Sequence, residues 1–503
     1  MKLKTYIYTL IVFGTMGILS SCSDWLDYTP KDKETEAQTF SSKQGFYTAI
    51  NGVYNRISDD VLYGQNMTYG MIDIMGRRYS TPSSLRYTIG SQRIYASLIS
   101  SYSYTDTDFQ TLIESIWEEA YATILNINVI LDNAEQKRGS VLTEDDYNII
   151  KGDMLALRAF LHFDMLRMFG PVYSRNPEKI CIPYNDSREA QVYEQLSARS
   201  VIYDHLIPDL EAAEECLAAS DPIIAEGPLA SSVEGEDNYT RYRQLRLNYY
   251  AVILLKARIY LWAGDKTNAL AEARRLTDDS QVSTWFPFIN PDHLLGNTVD
   301  PDRTFSTECL FGFYDSNRDL IFTTFFDASN LTASALYQPR NGYVSGLYSN
   351  TNDYRYRSQW SISGSSHSLV KFNSIEISED EEENNSYPFY TYFMPLMRLS
   401  EAYYIVAECL TDTDPASARA YMDVIMSARG RQPLAEDITS EALLEEIKLE
   451  YMREMAGEGQ VFFMLKRFFQ RLSGNYDASS TGSTAASDTR YEVPLPESEL
   501  INR

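Results

Sequence analysis

Histidine is scarce in this chain of 503 residues: His162, His205, His293 and His367 are the whole supply. No two stand at metal-ligand spacing and no H-E-x-x-H occurs, so a histidine-built zinc centre has no support. His162 falls inside a strongly periodic helical stretch and reads as core packing. The five cysteines, Cys22, Cys181, Cys216, Cys309 and Cys409, include no C-x-x-C pair, which removes the redox-motif reading. Cys22 aside, the other four lie far apart and are expected as buried free thiols. Also missing are G-x-S-x-G, a P-loop and G-x-G-x-x-G. Asp106/Asp108 and Asp412/Asp414 have D-x-D spacing, but neither continues into a calcium loop with its glycine and closing glutamate. Asp412 and Asp414 fit better as caps of a helix beginning near Pro415. Among 70 acidic residues two could always be paired for glycosidase chemistry, yet nothing singles out a pair. No catalytic residue, metal or cofactor is assigned, and the chain reads as a non-enzyme.

Positive charge is in deficit too. There are 44 Lys and Arg against 70 Asp and Glu, a net charge of −26. Such a surface repels phosphate backbones and removes nucleic acid as a partner. Long apolar runs are missing with one exception. Lys2 and Lys4 open the chain, an apolar run follows from Tyr6 to Leu19, and Leu19-Ser20-Ser21-Cys22 closes it. Residues 1–21 read as a signal peptide, too short to span a bilayer stably. The small residues before Cys22 form a lipobox, so acyl chains on Cys22 are expected to tether the mature chain to membrane lipid. Residues 22–38 read as a polar tether, and residues 39–503 as one domain.

What is plentiful is tyrosine, 38 residues beside 22 Phe and 5 Trp. Tyrosine joins a flat apolar face to a polar edge, which suits sugar or peptide ligands, although most of these rings are expected in helix packing. Apolar residues at Ile150, Met154, Leu157, Leu161, Met165 and Met168 share one face of a helix over Glu144–Phe169, which Gly170-Pro171 ends. Trp117–Ala134, Leu245–Ala263, Lys266–Leu276, Met394–Leu410, Pro415–Ala428 and Glu441–Met455 show the same period. The pattern Tyr260…Gly264-Asp265…Ala269…Ala273 resembles a tetratricopeptide unit, in which small residues let two helices approach. The expected fold is mainly α: helix pairs around 117–169, 245–276 and 394–428, wrapped by a loop-rich half with short strands. Coincidental helical hairpins would change that architecture little. Residues 60–110 and 282–390 are the loop-rich parts, with strand-like pieces at Leu310–Tyr314 and Leu320–Phe326. Glu379–Glu383 reads as a solvated acidic loop and Ser473–Asp488 as a Ser/Thr-rich one.

Several stretches together resemble the SusD/RagB family. They are Cys22-Ser-Asp-Trp-Leu-Asp27 with Tyr28-Thr29-Pro30, Phe46 to Tyr54, Arg158 to Pro171, Lys256 to Asp265, Met397 to Glu408, Glu450…Glu454…Glu458-Gly459, and Pro494-Leu-Pro496. Ser23, Asp24 and Asp27 also look like the surface-export signal of Bacteroidetes lipoproteins. Tyr451, Val461 and Met464 stand where the family has two arginines and an aspartate, a local apolar swap. Met426 and Ala428 replace arginines expected before Gly430, with Arg429 nearby. The resemblance implies four tetratricopeptide-like units and a lipoprotein that sits as a lid on a SusC-like TonB-dependent β-barrel. In that role it captures a glycan or, alternatively, a peptide. A surface glycan hydrolase and a lid without affinity of its own are the other readings. Long loops on a rigid scaffold are where binding sits, and the expected ligand residues are Arg77, Arg78, Tyr79, Tyr102, Tyr104, Tyr354, Tyr356 and Trp360. If Tyr354–Arg357 forms a strand, its two tyrosines share one face and its two arginines the other.

Overall fold

A computed structural model describes residues 35–501, apart from 81–85, 90–91, 190–191, 230, 232, 234–237, 296–299, 328–336, 341, 365, 376, 378–387 and 474–483. The expected signal peptide, Cys22, most of the tether and the acidic loop at Glu379–Glu383 lie outside the described residues.

The protein is mainly helical. Ten helices carry the architecture: α1 Lys43–Ile57, α2 Thr107–Lys137, α3 Glu144–Phe169, α4 Ile207–Ser220 and α5 Tyr249–Trp262. The rest are α6 Lys266–Thr277, α7 Leu399–Leu410, α8 Pro415–Ala428, α9 Ser440–Glu454 and α10 Val461–Arg467. Helix packs on helix in series: α2 on α3, α3 on α4, α5 on α6, α6 on α7, α7 on α8. Local sequence sets each boundary. Thr143 and Asp146 form a reciprocal capping box at the start of α3, and Gly170 ends it. Asp106 accepts the amides of Asp108 and Phe109 at the start of α2, and Asp414 accepts the Ser417 amide ahead of Pro415. Gly264, at φ +77°, makes the turn between α5 and α6 that a side chain would strain. Ala269 and Ala273 are fully buried, so α6 lies close on its neighbours, as the tetratricopeptide pattern requires.

Helix α3 is buried on all sides, including Asp153, Arg158, His162, Asp164 and Arg167. Each polar group has an internal partner: Tyr63 and Arg167 on Asp164, Arg158 on Asp209, Tyr54 on Asp153. His162 Nδ1 meets the Arg158 carbonyl at 2.9 Å and Nε2 accepts the Asn185 amide at 3.0 Å. Burial pushes its pKa down to about 3, so the ring is neutral core, as its place in the helix suggested. Cys181, Cys216, Cys309 and Cys409 are free thiols. No helix among the described residues is long and apolar enough to cross a membrane.

Strands are short antiparallel pairs. β1 (Cys309–Tyr314) pairs with β4 (Phe393–Arg398), and β2 (Trp360–Ser363) with β3 (Ser366–Leu369). The other pairs are Arg86–Ile89 with Gln92–Tyr95, and Ile180–Pro183 with Gln195–Ser197. Three sequence readings change here. The stretch expected as helix from Met394 is β4 up to Arg398, and α7 starts at Leu399, because β1 offers it a ladder from a distant part of the chain. Leu320–Phe326 is helical, not strand-like. Tyr354–Gln359 is a helical turn as well: Asp353 accepts the Arg355 amide and both ends of its guanidinium, which winds the backbone. The two tyrosines therefore do not share a strand face, and Arg355 is buried.

Candidate functional site

The site grows from the turn after the short helix Met71–Met75. Arg77 adopts φ +56° and Tyr102 φ +59°, a left-handed conformation that bulky residues rarely hold without support. Arg78 supplies part of that support. It is buried and donates to the Gly76 carbonyl at 2.8 Å, the Tyr343 hydroxyl at 2.5 Å and the Ser473 carbonyl at 2.9 Å, tying three distant segments together. Tyr79 is buried, donates to Asp73 at 3.2 Å and stacks on Tyr337 at 4.9 Å. Tyr102 is buried and donates to the Met75 carbonyl at 2.7 Å. Tyr104 is half-buried; its hydroxyl donates to the Arg490 carbonyl at 2.7 Å and its ring stacks on Phe109. The structure thus brings Arg77, Arg78, Tyr79, Tyr102 and Tyr104 to one place.

Tyr356 and Trp360 form a neighbouring group around Tyr348, with ring centroids at 5.5 and 6.5 Å. Tyr348 closes the short helix Tyr343–Leu347, whose first residue accepts the Arg78 hydrogen bond, so the two groups flank one element. Tyr354 lies apart, its amide on the Arg429 carbonyl and its ring against Gly430, where a Cβ would sit 2.4 Å from it. Tyr79, Tyr102 and Trp360 are buried, so they shape the site from beneath; Arg77, Tyr104, Tyr354 and Tyr356 are half-buried and keep surface of their own.

Two residues that sequence reasoning passed over lie near enough to Arg77 to act on its charge. Arg340 immediately precedes the Tyr343 turn, its carbonyl accepting the Tyr343 amide at 2.9 Å. Arg490 lies in the short helix Asp488–Tyr491 and donates to the Ala485 carbonyl at 2.9 Å. Arg77 itself donates to the Thr484 hydroxyl in the same terminal segment. Burial, and then the like charges of Arg340 and Arg490 against an opposing pull from Tyr102, hold the Arg77 pKa below the ordinary arginine value. Nothing in a single sequence signals this meeting, since the three arginines come from three distant stretches with unremarkable neighbours.

An opening of about 470 Å³ lies elsewhere, between α1 and residues 238–246. Tyr47 and Tyr239 stack there at 3.6 Å, and Arg246 donates to Asn51 while lying 4.3 Å from the Tyr54 ring. Its rings and its arginine already engage one another. No group of three or more His, Cys, Asp or Glu suited to a metal occurs among the described residues.

Helix pairs packed in series thus carry a loop-built cluster of arginine and tyrosine. Two family models match in succession: one described as starch-binding associating with outer membrane over residues 24–224, and the SusD family over residues 315–492. A SusD superfamily protein from Bacteroides thetaiotaomicron has the same fold, with a TM-score of 0.66, 19% identity, and coverage of 92% of this chain and 98% of that one. A SusD-like carbohydrate binding protein from Bacteroides vulgatus aligns at a TM-score of 0.65 and 19% identity over 92% and 96% of the two chains. SusD-like protein P25 of Formosa agariphila is 20% identical over 327 residues, 62% of this chain and only 51%, about half, of that relative. The chain belongs to the SusD/RagB family.

Proposed function

We propose that this protein is the cell-surface binding subunit of a TonB-dependent nutrient uptake system. It is held to the outer membrane through acylated Cys22 and captures a glycan as the lid of a SusC-like barrel. The observation that carries the reading is the cluster in which buried Arg78 and Tyr102 brace the half-buried Arg77 and Tyr104. Side chains of hydrogen-bonding and aromatic type are held there on a braced, left-handed backbone. A pre-organised face of this kind binds with little further ordering of the protein, and its aromatic and guanidinium groups match sugar faces and edges. The outer-membrane association named for the matching family and the carbohydrate binding named for the Bacteroides vulgatus relative support the same reading. Tethering captured ligand at the pore raises its local concentration there.

The soluble chain beginning at Ser23, run through gels containing single polysaccharides and assayed beside a peptide panel, tests this. Retardation by a glycan with no new small products is the expected result. Retention of peptides alone moves the reading to peptide capture, and release of products from a polymer overturns it in favour of a hydrolase.

A further inference from the structure

Arg77, Arg340 and Arg490 converge on one half-buried patch. Contacts place the Arg77 and Arg490 side chains and the Arg340 backbone. Arg77 bonds to Thr484, and the same segment folds back through the Arg490–Ala485 bond of 2.9 Å. On the other side Arg78 holds Tyr343 at 2.5 Å, and the Tyr343 amide holds the Arg340 carbonyl at 2.9 Å. Arg340 and Arg490 are near enough to depress the Arg77 pKa.

None of the three has a carboxylate partner among the described residues, and the acids nearest Arg490 in sequence are committed elsewhere. Asp488 pairs with Arg175 at 2.9 Å and Glu492 with Lys179. This contrasts with the helical half, where buried arginines meet carboxylates: Arg158 with Asp209, Arg167 with Asp164, Arg258 with Glu401. In a chain with 70 acids and 44 bases, three half-buried guanidiniums close enough to act on one another, with no counter-charge among the described residues, form a local excess of the opposite sign. Like charges so placed raise one another's energy until an anion joins them.

We infer that the saccharide captured at this face is anionic, its carboxylate or sulfate group received by Arg77, Arg340 and Arg490 beside the half-buried Tyr104. The inference rests on the saccharide-capture reading above. Guanidinium forks match carboxylate oxygens two at a time and offer several donors to sulfate. A neutral sugar leaves the three cations unpaired when it displaces their water, so the patch selects against it.

Calorimetric titration of the chain from Ser23 tests this with three probes of equal length: an oligogalacturonate, a sulfated galactan oligosaccharide and a neutral galactan oligosaccharide. One of the two acidic probes is expected to bind at least about tenfold more tightly than the neutral one, and which of the two does so identifies the acid group. Arg340→Gln and Arg490→Gln, checked for folding by circular dichroism, are each expected to weaken that probe by about tenfold. Arg199→Gln, at an exposed pair elsewhere, is expected to leave it unchanged. Equal affinity for the neutral probe with both site variants unaffected overturns the inference and leaves glycan capture standing. Binding of none of the three probes overturns it as well; a wider glycan panel then separates the two readings, since capture of any neutral glycan preserves the proposed function and capture of none ends it.

Discussion

Glu454 receives three guanidiniums in the interior: Arg355 at 2.8 Å, Arg429 at 2.5 Å and Arg398, which also donates to its carbonyl at 2.7 Å. Burial alone would raise its pKa, but Arg429, Arg398 and Arg355 hold it well below the usual carboxylate range. Glu454→Gln leaves three buried cations short of charge, and a loss of about 3–5 kcal/mol in urea unfolding is expected. Asp73, beneath the site, behaves in the opposite sense. Burial pushes its pKa up to about 7 against the pull of Arg78 and the Tyr79 hydrogen bond. A carboxyl raised above its unfolded value of 3.8 stabilises the fold fully below that pH, and the contribution is lost as pH rises through about 7. Asp73→Asn is therefore expected to flatten the fall in melting temperature between those two pH values; an unchanged slope would place the titration elsewhere. Both residues were present in the sequence as one acid among 70, and only their partners give them a role.

Elements were legible where local chemistry sets them. The cap at Asp414-Pro415, the stop at Gly170 and the Ala269/Ala273 face all act within one or two helical turns, and each appears where the sequence placed it. Where a distant segment competes, local reading failed: β4 forms because β1 lies beside it, and the turn at Tyr354 winds because Asp353 and Glu450 hold Arg355. Helix α4, absent from the sequence reading, packs its Leu210, Ala213 and Leu217 against α3 through a stripe too diluted by Glu and Ala to announce itself. Two element-scale substitutions check the packing. Lys466 of α10 donates to the carbonyls of Arg167, Met168 and Gly170 at 2.8, 3.3 and 2.7 Å, closing the C-terminus of α3. Lys466→Met keeps the stem and removes the three hydrogen bonds, so a lower urea midpoint, by about 2–3 kcal/mol, is expected. Ala273→Leu overfills the contact of α6 with its neighbours and is expected to cost about 1–3 kcal/mol in the same assay.

At the scale of the whole molecule, a net charge of −26 surrounds a patch where three arginines meet. The two fields oppose each other for an anionic ligand. Long-range repulsion slows its approach, and short-range pairing holds it once bound. Stopped-flow binding of the acidic oligosaccharide at rising salt is therefore expected to show faster association and faster dissociation, with weaker affinity overall. Association slowed by salt would mean that the patch dominates the approach as well as the bound state.

The sequence by itself determined the class of fold, the family and those helix ends that local caps set, because helical period, caps and small-residue contacts act over a few residues and survive without knowledge of the rest. It also offered Arg77, Arg78, Tyr79, Tyr102, Tyr104, Tyr354, Tyr356 and Trp360 as ligand candidates, of which the first five come from one loop-rich stretch. Tertiary structure alone decided which of those rings are buried supports, that Tyr354 stands apart from Tyr356 and Trp360, and that Arg340 and Arg490 come to Arg77. Most of those outcomes depend on contacts between segments tens to hundreds of positions apart, of which chain connectivity carries no local trace.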